Sequence, residues 1–420
     1  VFALGLSFAP ARAETLQDLL PSFLESHNLY KAANADVSTA AESLKATEGG
    51  WYPSLDVTTT YGNEQQNKPS GSDSTNMVSR EADFIVTQRL WDGGATSSSI
   101  RSAELSQQQA EAVLVSTKSS LLLRAVSAYV NVLRARQALT YAVQSEENVK
   151  KQTELEDALV KRGAGFSTDV LQAKVQLAGA QARRARAAGA LQVAKNAYRG
   201  VFNKDPGQAE SLVMPSLPVD QLPATVEEAV DEALKNNSQL VAADLTSRIA
   251  ETNIAAARAS GFFPTLDAKL DYKLKRDVGA TVGNQREVFG KVEMNFPFNL
   301  GFTAVNTLKA SENTHKASVF RYADTKSQIE QLTRNSWEQL KTAKNNAELL
   351  GNQANIAAEF LEFARKERTL GRRSLLDVLS GETALINASS DAASAGIDVA
   401  IAVFTLLESM GQLNESALTN

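Results

Sequence analysis

Gly163-Ala164-Gly165-Phe166-Ser167-Thr168-Asp169-Val170-Leu171 is the only strong breaker between two long, proline-free segments of helical spacing. The chain says it again as Gly371-Arg372-Arg373-Ser374-Leu375-Leu376-Asp377-Val378-Leu379. Gly163 answers Gly371 and Asp169 answers Asp377 at one offset, and Tyr129 answers Trp337 at the same one. Two glycine-marked helical hairpins in register mean a duplicated unit.

Working outward, Ala95 to Lys161 holds no proline or glycine, and Leu122, Val126, Tyr129, Val130 and Leu133 recur with helical period. Such a segment is on the order of 100 Å long at 1.5 Å per residue. After the turn, Ser167 or Thr168 is placed to cap a second helix to Asn203, with Asp169 in the first turn, where the helix dipole favours a carboxylate. That helix carries a small-residue stripe, Ala178, Ala182 and Ala185, which permits close helix approach. Upstream, Thr15 to Gly49 reads as a helix. Together with the helix ending at Asn203 it matches the long one in length, so an end-to-end stack is expected.

Between these helices the period changes to two. Leu55, Val57, Thr59 and Tyr61 alternate with Asp56, Thr58 and Thr60, and a second strand runs from Ala82 to Trp91, closed by Asp92-Gly93-Gly94. Polar residues 63–81 read as a loop. The second half replays this order. Helix 225–260 leads to Phe262-Phe263-Pro264, echoing Trp51-Tyr52-Pro53. The next strand alternates Leu266, Ala268, Leu270, Tyr272 and Leu274 with Asp267, Lys269, Asp271 and Lys273. A loop over 276–286 precedes a fourth strand with Val292, Met294, Phe296 and Phe298 on one face, then a long helix to Leu370 and a last one to Met410. The expected organisation is a signal-peptide remnant over 1–13, ending in Ala11-Arg12-Ala13, then a first repeat over 14–203 and a proline-rich linker over 204–224. A second repeat covers 225–411, and 412–420 form a tail.

Composition narrows the function. The 420 residues are 43% hydrophobic, 22% charged and 6% aromatic, which points to long helices packed through small side chains. A net charge of −5 leaves no basic excess for nucleic acid. With no cysteine there is no thiolate site or lipid anchor, and His27 and His315 read as ordinary surface or helix-face residues. Glu146-Glu147 and Glu154-x-Glu156-Asp157 read as a solvated or lumen-facing stripe, and Arg183-Arg184-x-Arg186 as a hydrated face or an interhelical pairing. No phosphate loop, Ser/His/Asp set or metal spacing appears, so the chain reads as a non-enzyme without a cofactor. Past the leader no apolar run is long enough for a transmembrane helix, so a crossing must be made by strands.

The four strands have one apolar face and one of Asp, Lys, Thr and Glu, at the ~9–11 residues that cross an outer membrane. Trp51, Tyr52, Trp91, Phe262, Phe263, Phe298 and Phe302 cluster at their ends as an interfacial girdle would. A free sheet edge in lipid leaves backbone groups unpaired at several kcal/mol each. Four strands are too few to close a barrel, so several copies must pool theirs, and three copies supply twelve.

The duplicated layout, Tyr52-Pro53-Ser54-Leu55 and Phe263-Pro264-Thr265-Leu266, Trp91-Asp92-Gly93-Gly94, and the two Gly-x(5)-Asp-Val-Leu turns resemble the TolC family of outer-membrane channels over residues 15–411. The resemblance implies a mainly α fold with a small β part: a homotrimer whose twelve strands form a barrel in outer-membrane lipid and whose helical hairpins form a periplasmic tunnel. It implies a periplasmic adaptor and an inner-membrane ABC transporter or RND-type pump as partners. Type I protein secretion is the favoured duty, with multidrug efflux as the alternative and a non-transporting periplasmic scaffold as a third reading. The resemblance further implies that the turns, with Gly163, Gly165, Gly371 and Arg372, close the tunnel and meet the adaptor. Asp169, Arg373 and Asp377 stand at the family's ion-pair latch. The sequence departs from the pattern at Arg368 and Ser380, and Arg372 beside Arg373 is placed to pair with Glu367 or Glu382.

Overall fold

The structure, a computed structural model, describes residues 15–67, 74–163, 166–206 and 212–419. The expected leader, Gly165, loop residues 68–73 and linker residues 207–211 lie outside them. The first half runs α1 (Leu16–Ser26), α2 (Asn28–Glu48), β1 (Ser54–Gln66), β2 (Thr75–Trp91), α3 (Ala95–Lys161) and α4 (Ser167–Phe202). The second runs α5 (Val226–Asn236), α6 (Ser238–Phe262), β3 (Thr265–Val278), β4 (Thr281–Asn295), α7 (Thr303–Thr369) and α8 (Leu375–Ser409), followed by the short α9 (Glu415–Thr419). The duplication reaches local detail. Helices α1 and α5 are both 11 residues long, start at a capping Thr15 or Thr225, and stop at extended His27 or Asn237. The single helices expected over 15–49 and 225–260 are therefore each two, because the chain leaves helical ψ at those two residues (125° and 117°). Long α3 and α7 have 67 residues apiece.

Residues fall into two compact units, one from 1–32, 114–238 and 326–420, the other from 33–113 and 239–325. In the first, Leu122, Val126, Tyr129 and Val130 of α3 and Phe404, Leu406 and Leu407 of α8 are wholly buried. Each such side chain contributes roughly 1.5–3 kcal/mol. Phe23 of α1 stacks 5.3 Å from Phe202, so α1 meets the C-terminal end of α4, as the length matching requires. Against expectation, α3 and α8 each contain a window apolar enough for a membrane span by length and composition, but 44% of each window is buried in protein packing. Ala178, Ala182 and Ala185 are exposed. Ser167 does not cap α4: the N-cap is Phe166, without a side-chain bond.

The repeated aromatic position holds the linker. The Tyr129 hydroxyl donates to the Val213 carbonyl at 2.8 Å and accepts its N–H at 3.0 Å, while Trp337 lines a small concavity with Leu222 and Pro223. In the C-terminal tail, Leu413, Ala417 and Leu418 are buried and Ser119 donates to the Leu413 carbonyl. Gly411 (φ +73°) makes that return possible, because a Cβ there would lie 2.5 Å from the Asn236 oxygen.

The second unit carries one antiparallel sheet in the order β1-β2-β3-β4. Its strands have 13, 17, 14 and 15 residues, longer than expected. Most of residues 63–81 and 276–286, expected as loops, continue the ladders; Gly279 and Ala280, both at positive φ, make the two-residue β3–β4 turn. Their polar composition reflects water, not loss of pairing. Strand β4 ends at Asn295, and Phe296 and Phe298 lie beyond it, where Pro297 cannot donate to a ladder.

Candidate functional site

Register fixes what each face of the sheet can do. Leu55, Val57, Phe84, Val86, Leu270, Tyr272, Val288, Val292 and Met294 share one face, and most are exposed in the chain. The other face is laced with cross-strand ion pairs: Arg89–Asp267 (2.7 Å), Lys269–Glu293 (3.2 Å), Lys273–Asp83 (3.4 Å) and Lys275–Glu287 (2.8 Å). Ile85 and Phe289 interrupt that polar face, which the alternation did not anticipate. An apolar face without cover suits hydrocarbon; a paired, charged face suits a wet lumen. The outer strands β1 and β4 each keep one unpaired edge.

The predicted interface aromatics gather at a single end of the sheet, where β1 and β3 begin and β2 and β4 finish. Trp91 meets Phe263 edge-on at 6.2 Å, Phe298 lies 4.5 Å from Phe296, and Tyr52 and Phe302 are largely exposed. Trp51, half-buried, accepts the Gln88 amide on its carbonyl. The Phe263 side chain packs against Gly93 (φ +66°), where a Cβ would come within 2.4 Å. Asp92, 1% exposed, accepts the N–H groups of Gly94 and Thr96 and the Thr96 hydroxyl at the start of α3.

At the hairpin turns, Gly371 (φ +70°) lets its own N–H and that of Arg372 fold back onto the carbonyls of Arg368 and Glu367. Gly163 (φ +77°) bonds likewise to Val160. Ser374 caps α8 on the Asp377 N–H. The latch residues do not meet within one chain. Arg373 pairs with Glu367 at 2.7 Å and lies over Phe360, while Arg368 pairs with Glu156 at 2.5 Å. Among the described residues, the side chains of Asp169 and Asp377 have no ion-pair partner, and Ser380 and Arg372 are exposed.

Two buried glutamates join the hairpins instead. Glu156, 2% exposed, is not in a solvated stripe; it carries the Arg368 pair from α3 to α7. Glu382, 1% exposed on α8, accepts from Arg365 of α7 and from Asn148 of α3 at 3.0 Å. Arg372 takes neither of the roles foreseen for it, since Arg373 holds Glu367 and Arg365 holds Glu382. Val149, Ala173, Leu375 and Leu379 pack beside them. A signal was available: Val149, Thr153 and Glu156, and likewise Leu375, Leu379, Glu382 and Ile386, are spaced four and three apart along one helical stripe. Glu146, as allowed for, pairs with Arg184.

A family model described as outer membrane efflux protein matches residues 19–203 and 229–412. The chain belongs to that family. The two matched segments fall on the two repeats. The chain is 25% identical to Outer membrane protein TolC of Vibrio cholerae, over 98% of its own length and 94% of the relative's. It is 23% identical to Outer membrane efflux protein BepC of Brucella suis, over 97% and 88%. A membrane protein of Pseudomonas aeruginosa superimposes with a TM-score of 0.83 at 20% identity, covering 94% of this chain and 93% of that one. The open-state MtrE outer membrane channel of Neisseria gonorrhoeae gives 0.77. This family member is thus an outer-membrane channel reaching into the periplasm, not an enzyme, and the scaffold reading falls.

Proposed function

We propose that three copies pool their strands into one twelve-stranded wall and form a passive exit duct for type I protein secretion. The observation that carries it is the open four-stranded sheet, apolar and uncovered on one face, with both edges unpaired. In lipid those edges find partners only in further copies. The exposed Leu171, Val175, Ala178, Ala182 and Ala185 of α4 are further surface for the same assembly. A lumen of mutually paired charges suits a hydrated, unfolded polypeptide driven by an ABC transporter through a periplasmic adaptor. An RND-type pump and drug cargo form the second reading, favoured by the efflux name of the Brucella relative.

In the closed duct the hairpin turns line the periplasmic entrance, and the unpartnered Asp169 and Asp377 of one copy meet Arg373 or Arg372 of the next. The adaptor meets Gly163, Gly165, Gly371 and Arg372 and favours the open state. Arg373→Ala and Asp377→Ala are expected to raise single-channel conductance in planar bilayers; unchanged conductance in both removes the latch. Deleting the gene should empty the medium of one large secreted protein without changing drug susceptibility. The opposite pattern assigns the duct to efflux.

A further inference from the structure

The apolar face of the sheet has an unexpected charge pattern. The aligned positions on that face, odd residues of β1 and even residues of β2, β3 and β4, include no Asp or Glu, and their only charged residues are Arg80, Arg276 and Arg286. The opposite face mixes both signs in ion pairs. Arg80 is the register partner of Arg276, and Arg286 faces Leu274, one step along. Three adjacent strands therefore bring three guanidinium groups into one patch, with neighbouring Cβ atoms ~5 Å apart across a pair and ~7–8 Å on the diagonal. All three are exposed. Like charges set directly opposite are destabilising. Local relief is slight: Arg80 lies over the Tyr61 ring at 5.6 Å, and Arg276 reaches its neighbour Asp277 at 3.6 Å. Arg286 has no ion pair among the described residues.

Their height matters as much as their charge. From Leu266, beside the aromatic collar, to Arg276 is ~33 Å along the strand at ~3.3 Å per residue. At the ~35–45° tilt of outer-membrane barrels this is ~25 Å across the bilayer, the height of the apolar band. The collar lies at the end that leads into the periplasmic helices, so the arginines stand where the head groups of the outer leaflet begin.

We propose that Arg80, Arg276 and Arg286 bind the phosphate groups of an outer-leaflet lipid, a phosphorylated glycolipid bearing more than one phosphate. The guanidinium fork matches a phosphate bidentately, and the aliphatic stems lie along the acyl chains. The ring of Tyr61 supports Arg80 from β1. The site depends on the place of the sheet in the outer membrane and is independent of cargo and pump.

Full-length protein extracted in mild detergent is titrated with lipid A, with its dephosphorylated form and with inorganic phosphate, and bound species are counted by native mass spectrometry. Lipid A is expected to bind, and R80Q/R276Q/R286Q to weaken it about tenfold or more, the scale of one lost charge-assisted bond. The corresponding lysine variant, which keeps charge but loses the fork, should fall between. K269Q/K291Q, on the opposite face, should bind as the wild type does. If the triple glutamine variant does not fold, R286Q alone should show a smaller loss in the same direction. Equal binding of the dephosphorylated lipid, or wild-type binding by the variants, overturns the site. Tight binding of inorganic phosphate that displaces the lipid would make it a free-anion site and overturn the lipid assignment.

Discussion

Removing Arg365 should damage the hairpin ends more than neutralising the glutamate it holds. Glu382 is 1% exposed and rests on two donors, Arg365 and Asn148. Arg365→Ala leaves a buried carboxylate with one amide. An orphaned buried charge costs ~3–5 kcal/mol, but the Arg365 side chain is 50% exposed, so water can enter its place, and about 2–3 kcal/mol is the better figure. Glu382→Gln keeps the volume and an acceptor for Asn148, and leaves Arg365 to hydrate, at about 1 kcal/mol. Hydrogen exchange of the α3, α7 and α8 amides around residues 148, 365 and 382 reads the difference. Arg365→Ala should speed exchange by about 30–150-fold and Glu382→Gln by about fivefold. The double variant should resemble Glu382→Gln, since no charge is then stranded. Equal effects of the two single changes, or strict additivity, would refute the account of Glu382 as a buried ion held by its partners.

Gly93→Ala should abolish assembly, since its Cβ would lie 2.4 Å from that of Phe263 at a φ of +66°; heat-resistant oligomer on a gel is the measurement, and normal yield would contradict the packing. Burial opposes the charge on Asp92, but the Thr96 hydroxyl and N–H, the Gly94 N–H and Arg89 outweigh it and hold its pKa below the usual carboxylate range. Its stabilisation is thus complete above the unfolded value of ~3.9 and lost as pH falls through the folded value, so Asp92→Asn should cost ~0.5–2 kcal/mol at neutral pH and little in strong acid, read by thermal unfolding. Burial pushes the Glu408 pKa up, so ionising it opposes folding as pH rises through the raised value. Glu408→Gln should raise the thermal midpoint at neutral pH and lose that advantage towards pH 4.

How far the sequence could be read depends on whether a feature has its cause nearby. Alternation from Leu266 to Leu274 is a local pattern and placed that strand and both its faces correctly. The far ends of the strands, Asn63 to Gln66 and Thr75 to Glu81, alternate too weakly against their polar composition, and only a partner strand reveals them as ladder. The breaks at His27 and Asn237 lack a glycine or a following proline, so nothing in the helical period announced them. Burial of Glu156 depends on Arg368, far away in the chain, although its place in an apolar stripe was a clue. The converse holds for Asp169 and Asp377. Their motif was plain, yet among the described residues of one chain neither carboxylate has a counterion, Asp169 being half-buried and Asp377 exposed.

That contrast bears on where the entrance should yield. Inside one copy, α3, α7 and α8 are held by two nearly dry carboxylates whose arginine partners are part-exposed, and breaking such a pair by removal of the arginine costs about 2–3 kcal/mol. Between copies, the residues proposed as the latch are surface groups, and exposed ion pairs of that kind are worth ~0–1 kcal/mol each. An adaptor with limited differential affinity for the open state can shift the population only by that affinity. On the proposed latch it should therefore part the weak contacts between copies before the strong ones within a copy, so that the hairpins of each copy swing as one body, with Gly163 and Gly371 just past the ends of the two long helices.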